Sequence, residues 1–276
     1  MSMLLGAMVN EWMKVRTRWI SIASCLCSLV LLLLAAKALQ DIIPFLPELS
    51  EPSQTNSTAA DAQGAFGRLA ASMQGVFVVV IFPLLMVIIG GDSWSSEFNN
   101  RTIKATLLRP VGRPIYMLAK WLTLILLSVG LLAIAYGSGF LLQSSHGLHD
   151  WDLPVPLAVG TVPLWLFLLF KFLLHIIVIM FTASFILFMS FFIRSNAIAM
   201  ATMMVAFLFG KTLLLLQTSL PPLEYLFLNH LDLPGMASSS AYAPSDLWRS
   251  IGILALTGSC MYAAVNTIFR YQDINR

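Results

Sequence analysis

Long apolar runs alternate with short polar stretches along the chain, and the lengths of the runs decide what they are. Six of them, at residues 19–39, 73–91, 115–142, 162–193, 197–216 and 251–268, hold enough apolar sequence to cross a bilayer. A hydrocarbon core of about 30 Å takes roughly 20 residues of α-helix. Helix is the economical answer, because lipid offers no water to satisfy a backbone amide or carbonyl. The predicted fold is an all-α integral membrane protein with six transmembrane helices, a single transmembrane domain over residues 1–276. Pro83 inside the second run predicts a kink.

Ahead of the first run the period changes. Leu4, Leu5, Met8, Trp12, Val15 and Trp19 recur at helical spacing, with Glu11, Lys14 and Arg18 on another face. This predicts an interfacial amphipathic helix over residues 1–18, lying along the inner leaflet with Trp12 at the headgroup level. A straight extension of span one into the cytoplasm is the alternative. Further on, Pro221-Pro222 opens an apolar stretch at 223–228 that is too short to span, so a re-entrant or interfacial helix is expected in the loop 217–248.

Composition agrees with the pattern. Hydrophobic residues make up 58% of the 276 and charged residues 11%, where a soluble domain would carry about a quarter charged. The net charge of +3 is small, and the basic residues form no aromatic-interleaved stripe of the kind that binds nucleic acid. They report topology instead, because positively charged flanks stay cytoplasmic. Lys14, Arg16 and Arg18 precede span one, Arg101, Lys104, Arg109 and Arg113 lie between spans two and three, Arg194 lies between four and five, and Arg270 and Arg276 follow six. The opposite loops agree: 40–72 holds four acids against Arg68, and 143–161 and 217–248 have no Lys or Arg. Both termini are expected in the cytoplasm. Ala36-Lys37-Ala38 has the outline of a signal cleavage site, but the preceding run is overlong and Lys37 sits inside the site, so the segment is read as retained.

The loop between spans two and three carries the sharpest pattern. Gly90-Gly91 is expected to end span two, Asp92 and Ser93 to cap a new helix, and Arg109-Pro110 to stop it, with Pro114 in the first turn of span three. On that short cytoplasmic helix, residues 92–113, Glu97, Arg101, Lys104 and Leu108 share one face, a rigid charged surface suited to docking on another protein. A loop whose charges only set topology is the plainer reading.

Here the chain resembles the type 2 ABC exporter permeases. Glu97, a short helical stretch, Leu107-Leu108-Arg109-Pro110, Arg113 and Lys120 are similar to that family's acidic residue, leucine-rich turn, Arg-Pro and following basic residues. Asn10 to Lys14 and Phe269 to Ile274 resemble its two ends, while Asn100-Arg101 departs from its usual Gly-Thr pair. The resemblance implies a coupling helix comprising Asp92, Glu97, Arg101, Lys104, Leu108, Arg109, Pro110 and Arg113. It also implies a second permease subunit, homo- or heterodimeric, and a cytoplasmic ABC ATPase that binds ATP and Mg on its own chain. The expected location is a bacterial plasma membrane.

No ATPase is written in this chain. Gly210-Lys211-Thr212 has Val205 where a phosphate loop needs its first glycine, and it lies within a span. No His-Glu-x-x-His or Ser-His arrangement supports the rival reading, a polytopic membrane enzyme; a non-transporting membrane scaffold is the third class. No cofactor, catalytic or metal site is assigned. His146, His149, Asp150 and Asp152 cluster without further ligands. His175 reads as a packed or interfacial histidine, and Cys25, Cys27 and Cys260 as small apolar fillers. Lys37, Lys171 and Lys211, at the outer ends of spans, read as snorkelling side chains, with an outer cationic vestibule as the alternative. Ala133, Ala135, Gly137 and Gly139 permit close helix approach, either within the bundle or between subunits.

Overall fold

A computed structural model describes residues 2–16, 82–99, 112–145, 154–157, 160–193, 195–213, 227–238 and 244–271. In chain order these form α1 (Ser2–Arg16), α2 (Phe82–Asn99), α3 (Arg113–Ser145), β1 (Pro154–Leu157), β2 (Gly160–Pro163), α4 (Leu164–Phe192), α5 (Asn196–Leu213), a 3-10 turn (Phe227–His230), α6 (Leu233–Ser238) and α7 (Pro244–Tyr271). Three stretches are long and apolar enough to cross a membrane: Arg113–Ile134, Trp165–Phe192 and Ser245–Tyr271, with a shorter apolar one at Ala197–Phe207. The first predicted span lies outside the described residues, as does a kink before Pro83.

α4 is the axis of the bundle. Its sequence is apolar on every side, as a helix surrounded by other helices requires, and it packs against α2, α3, α5, α6 and α7. Pro163, extended at φ −63° and ψ 147°, starts it, and the extended Ile193 ends it with its N–H returned to Met189 O at 3.0 Å. Met86 and Val87 of α2, Leu132 of α3, Ile179 and Ile186 of α4, Met203 of α5 and Leu254 of α7 meet in the main core. A smaller core of Tyr116, Met117, Leu187, Phe191, Val265 and Phe269 closes the end where α3 begins and α7 finishes. Two buried hydroxyls of α3 are spent inside that helix: Thr123 donates to Ala119 O at 2.8 Å and Ser128 to Leu124 O at 2.7 Å. This satisfies them without water.

One expectation needs correction. Gly90 and Gly91 do not break the helix, and no new one starts at Asp92 and Ser93: α2 runs through all four to Asn99. The glycines' lack of a side chain serves packing instead of a cap. A Cβ on Gly90 would lie 2.9 Å from Ile186 Cγ2, one on Gly91 would lie 2.9 Å from Met200 Cγ, and Ser190 Oγ donates to Gly91 O at 2.9 Å. Close contact with α4 and α5 therefore stiffens the helix where its own sequence is weakest. Residues 92–99 are a rigid extension of α2, and residues 100–111 lie outside the described set.

Helix is otherwise interrupted only by a hairpin among the described residues. β1 pairs with β2 antiparallel, Leu157 opposite Gly160, where the sequence reads as loop to residue 161 and as the fourth span from 162. The apolar stretch at 223–226 is outside the described residues. After it come the 3-10 turn and α6, which pack on α7 and α4.

Candidate functional site

Four helix segments converge at the end of the bundle closed by the smaller core. α1 presents Glu11 and Lys14, three residues apart and so on one face. α2 delivers Glu97 from its extension, and α3 presents Arg113, Tyr116 and Lys120 along one stripe. These side chains interlock. Lys14 Nζ stands 2.6 Å from Glu11 Oε1 and 2.8 Å from Glu97 Oε1; Lys120 Nζ stands 3.1 Å from Glu97 Oε1 and 3.4 Å from Glu11 Oε2. The Tyr116 hydroxyl donates to the second Glu97 oxygen at 2.5 Å. Both ammonium groups also lie over the Tyr116 ring, 5.8 and 5.3 Å from its centroid.

Two carboxylates facing two ammonium groups leave no net charge, which is the condition for burying four ions together. The Lys120 side chain is 1% exposed and that of Glu97 6%. Burial alone would lift the Glu97 carboxyl, but Lys120, Lys14 and Tyr116 together hold it below its ordinary value. Burial likewise opposes the charge on Lys14, and the hydrogen bonds it donates to Glu11 and Glu97 outweigh it, so the ammonium is held above its ordinary value. The site is a closed ionic joint. Among the described residues it offers no nucleophile or open metal position, and it fixes α1, α2 and α3 to one another. Arg113 adds α7: its Nη1 donates to Arg270 O at 3.1 Å and Phe269 O at 3.5 Å, capping carbonyls of the last turn.

Glu97 therefore does not contribute to an exposed charged face, as the sequence pattern implied. It is buried inward, against α1 and α3. Asp92 lies within continuous α2. Arg101, Lys104, Leu108, Arg109 and Pro110 lie outside the described residues. On α1 the charged face is the docked one, with Ala7 and Glu11 buried, while Leu5, Val9, Trp12 and Met13 are exposed on the opposite side. Arg18 and Lys37 lie outside the described residues, and Lys211 lies in α5. Tyr116 was missed, although it sits three residues after Arg113 and four before Lys120, the spacing of one helix face.

A family model described as "ABC-2 family transporter protein" matches residues 10–233. The chain belongs to the ABC-2 transporter family. No curated protein matches the chain in a sequence comparison. All five side chains of the ionic joint fall inside the family match, so it belongs to the part of this ABC-2 permease that the family model describes. α7, which Arg113 caps, lies beyond the match.

At the other end of the permease α4 carries a second polar group. Lys171 is buried there, the eighth residue of α4. His175 is buried as expected of a packed histidine, its Nδ1 2.8 Å from the Tyr136 hydroxyl and 2.9 Å from Lys171 O. His230 Nδ1 meets Ser250 Oγ at 2.8 Å, tying the 3-10 turn to α7. Ser250 itself donates to Asp246 O at 2.8 Å, so this pair is a structural tie and its hydroxyl is already committed. Among the small residues of α3, Ala133 and Gly137 are exposed, and among the described residues nothing lies within 4 Å of a Cβ built on Gly137. Cys260 is exposed on α7.

Proposed function

We propose that this chain is the membrane-spanning subunit of an ABC exporter and that a separate cytoplasmic ATPase drives it through the extension of α2 and the loop that follows. The observation that carries the reading is the burial of Glu97 between Lys14 and Lys120. An ion pair of this kind makes a stiff connection, because removing one member strands the other in a dry site at a cost of about 3–5 kcal/mol. Force applied to residues 92–113 passes through Glu97 to α1 and α3 together, and along α2 to the far side of the bundle.

In this reading the ionic joint lies at the cytoplasmic surface, both termini are cytoplasmic, and the hairpin faces outward, which agrees with the Lys and Arg bias of the loops. α1 lies in the inner headgroup layer, its charged face turned to the protein and its apolar face, with Trp12, turned to lipid. Six spans, a second permease subunit and a bacterial plasma membrane complete the proposal. Co-purification tests it. A cytoplasmic ABC ATPase that co-purifies with the tagged permease is expected to be released by charge reversal at Arg101 and Lys104; absence of any co-purifying ATPase, or retention unaffected by that reversal, contradicts docking through this loop.

A further inference from the structure

Among the described residues of α7, Ser250, Leu254, Gly258, Val265 and Phe269 are the buried ones, spaced so that they form one stripe along the helix. Trp248, Leu256, Cys260 and Ile268, off that stripe, are exposed. α7 packs on α4, and at Gly258 the two helices come within backbone contact: a Cβ built there would lie 3.4 Å from Phe181 Cα and 3.4 Å from Phe181 Cδ2. Close approach needs a residue with little or no side chain. Rotation about such a point moves every other part of the helix in proportion to its distance from it, so Gly258 is placed as a fulcrum.

The two arms on either side of it are gripped by different elements. On the arm toward the ionic joint, Arg113 Nη1 donates to Arg270 O and Phe269 O, the Phe269 ring centroid lies 6.4 Å from that of Tyr116, and the Tyr262 ring centroid lies 5.3 Å from that of Trp121. All three grips come from the first turns of α3. The Phe269 ring also meets Phe191 of α4 edge-on at 6.2 Å. On the other arm Ser250 Oγ is 2.8 Å from His230 Nδ1, and the 3-10 turn that carries His230 packs on α7 together with α6. Apolar contacts such as those of Leu254 and Val265 have no direction, whereas the end ties are hydrogen bonds with a required geometry. A displacement at one end is therefore carried to the other by the helix itself. We propose that α7 is a rocker seated on α4 at Gly258, and that Arg113 converts a shift of the start of α3 into a shift of the 3-10 turn at His230. The push comes from the ATPase coupling proposed above, and the inference rests on that reading. Gly258 is twelve residues from Arg270 and eight from Ser250, arms of about 18 Å and about 12 Å. By that ratio a shift of about 3 Å at Arg270 becomes about 2 Å at Ser250.

The test uses the full chain with its co-purifying ATPase in nanodiscs, in a background without the native cysteines, and reads distances between pairs of spin labels with and without vanadate-trapped nucleotide. The labels sit at exposed positions: Tyr271 with Phe192 at the joint end, Leu256 with Met180 beside the fulcrum, and Trp248 with Trp165 at the far end. Trapping is expected to change the two end distances and to leave the middle one within error. Arg113→Met should keep the resting distances and lose at least half of the nucleotide-driven change at both ends, and Arg113→Lys, which keeps a donor toward Arg270 O, should restore part of it. A purely structural Arg113 would alter the resting distances instead. Should Arg113→Met fail to fold, Arg113→Lys is expected to show a reduced change at both ends, and a change of full wild-type size overturns the role of Arg113. A middle distance that changes as much as the ends overturns the fulcrum, and a far-end change of full size in Arg113→Met overturns the transmission. ATP hydrolysis is measured in the same samples. Stimulated hydrolysis with all three distances fixed removes the rocker and leaves the coupling reading standing; no stimulation and no movement removes both.

Discussion

Glu97 was visible in the sequence as a charge in the right place, and its role was not. Its helical spacing to Arg101 and Lys104 pointed to an outward face, because a linear pattern records neighbours on one helix and cannot record Lys14 and Lys120 arriving from two others. The structure makes Glu97 an inward anchor, with a consequence for its neutral isostere. Glu97→Gln leaves two lysines facing Glu11 alone, so α1 is expected to loosen by about 3–5 kcal/mol. Amide exchange over residues 2–16 should speed up accordingly, and unchanged protection would contradict the joint. Tyr116→Phe removes only a hydrogen bond to a charged oxygen, and a smaller loosening of about 1.5–3 kcal/mol is expected by the same measurement. At Gly90, a Cβ meets Ile186 at 2.9 Å and both Leu124 methyls at 3.0 Å. Gly90→Leu is therefore expected to overpack the α2, α3 and α4 contact and lower thermal stability by about 1–3 kcal/mol or more; a melting point equal to wild type would sink that account.

At the scale of elements, the signals with a strong local cause were legible. Arg113 and Pro114 open α3 as Pro in a first turn allows, and α1 forms where the period changes. Gly90-Gly91 misled because glycine serves both as a helix stop and as a point of close helix contact, and only the neighbours Ile186 and Met200 decide between them. The hairpin went unread since its prolines, Pro154, Pro156 and Pro163, speak against a strand unless both strands are edges. For α1 the electrostatics set a pH window. Glu97's carboxyl is depressed, so its contribution is present at neutral pH and fades as pH falls through that lowered value. Lys14 is raised, so its contribution is complete below the ordinary lysine range and fades as pH rises through the raised value. A spin label at the exposed Leu5, in a background without the native cysteines, should be immobile across neutral pH and mobile at both extremes. Mobility unchanged at both extremes would rule out an ionic attachment.

For the whole molecule, sequence gave the class, since apolar run lengths follow directly from bilayer thickness. It could not give the joint, which is made of contacts between residues far apart in the chain. The Lys14–Glu97 pair closes 83 residues and the Arg113–Arg270 contact 157. Such contacts let a push at one loop reach several helices at once, and they frame the central proposal: a separate ATPase supplies the force and this permease receives it through Glu97. ATP hydrolysis in liposomes tests that claim most directly, with the partner ATPase alone, the permease alone, the two together, and the pair carrying Glu97→Gln. The expected result is no hydrolysis by the permease, stimulated hydrolysis by the pair, and loss of most of that stimulation in Glu97→Gln while the ATPase remains bound. Hydrolysis by the purified permease, or full stimulation by Glu97→Gln, would contradict it.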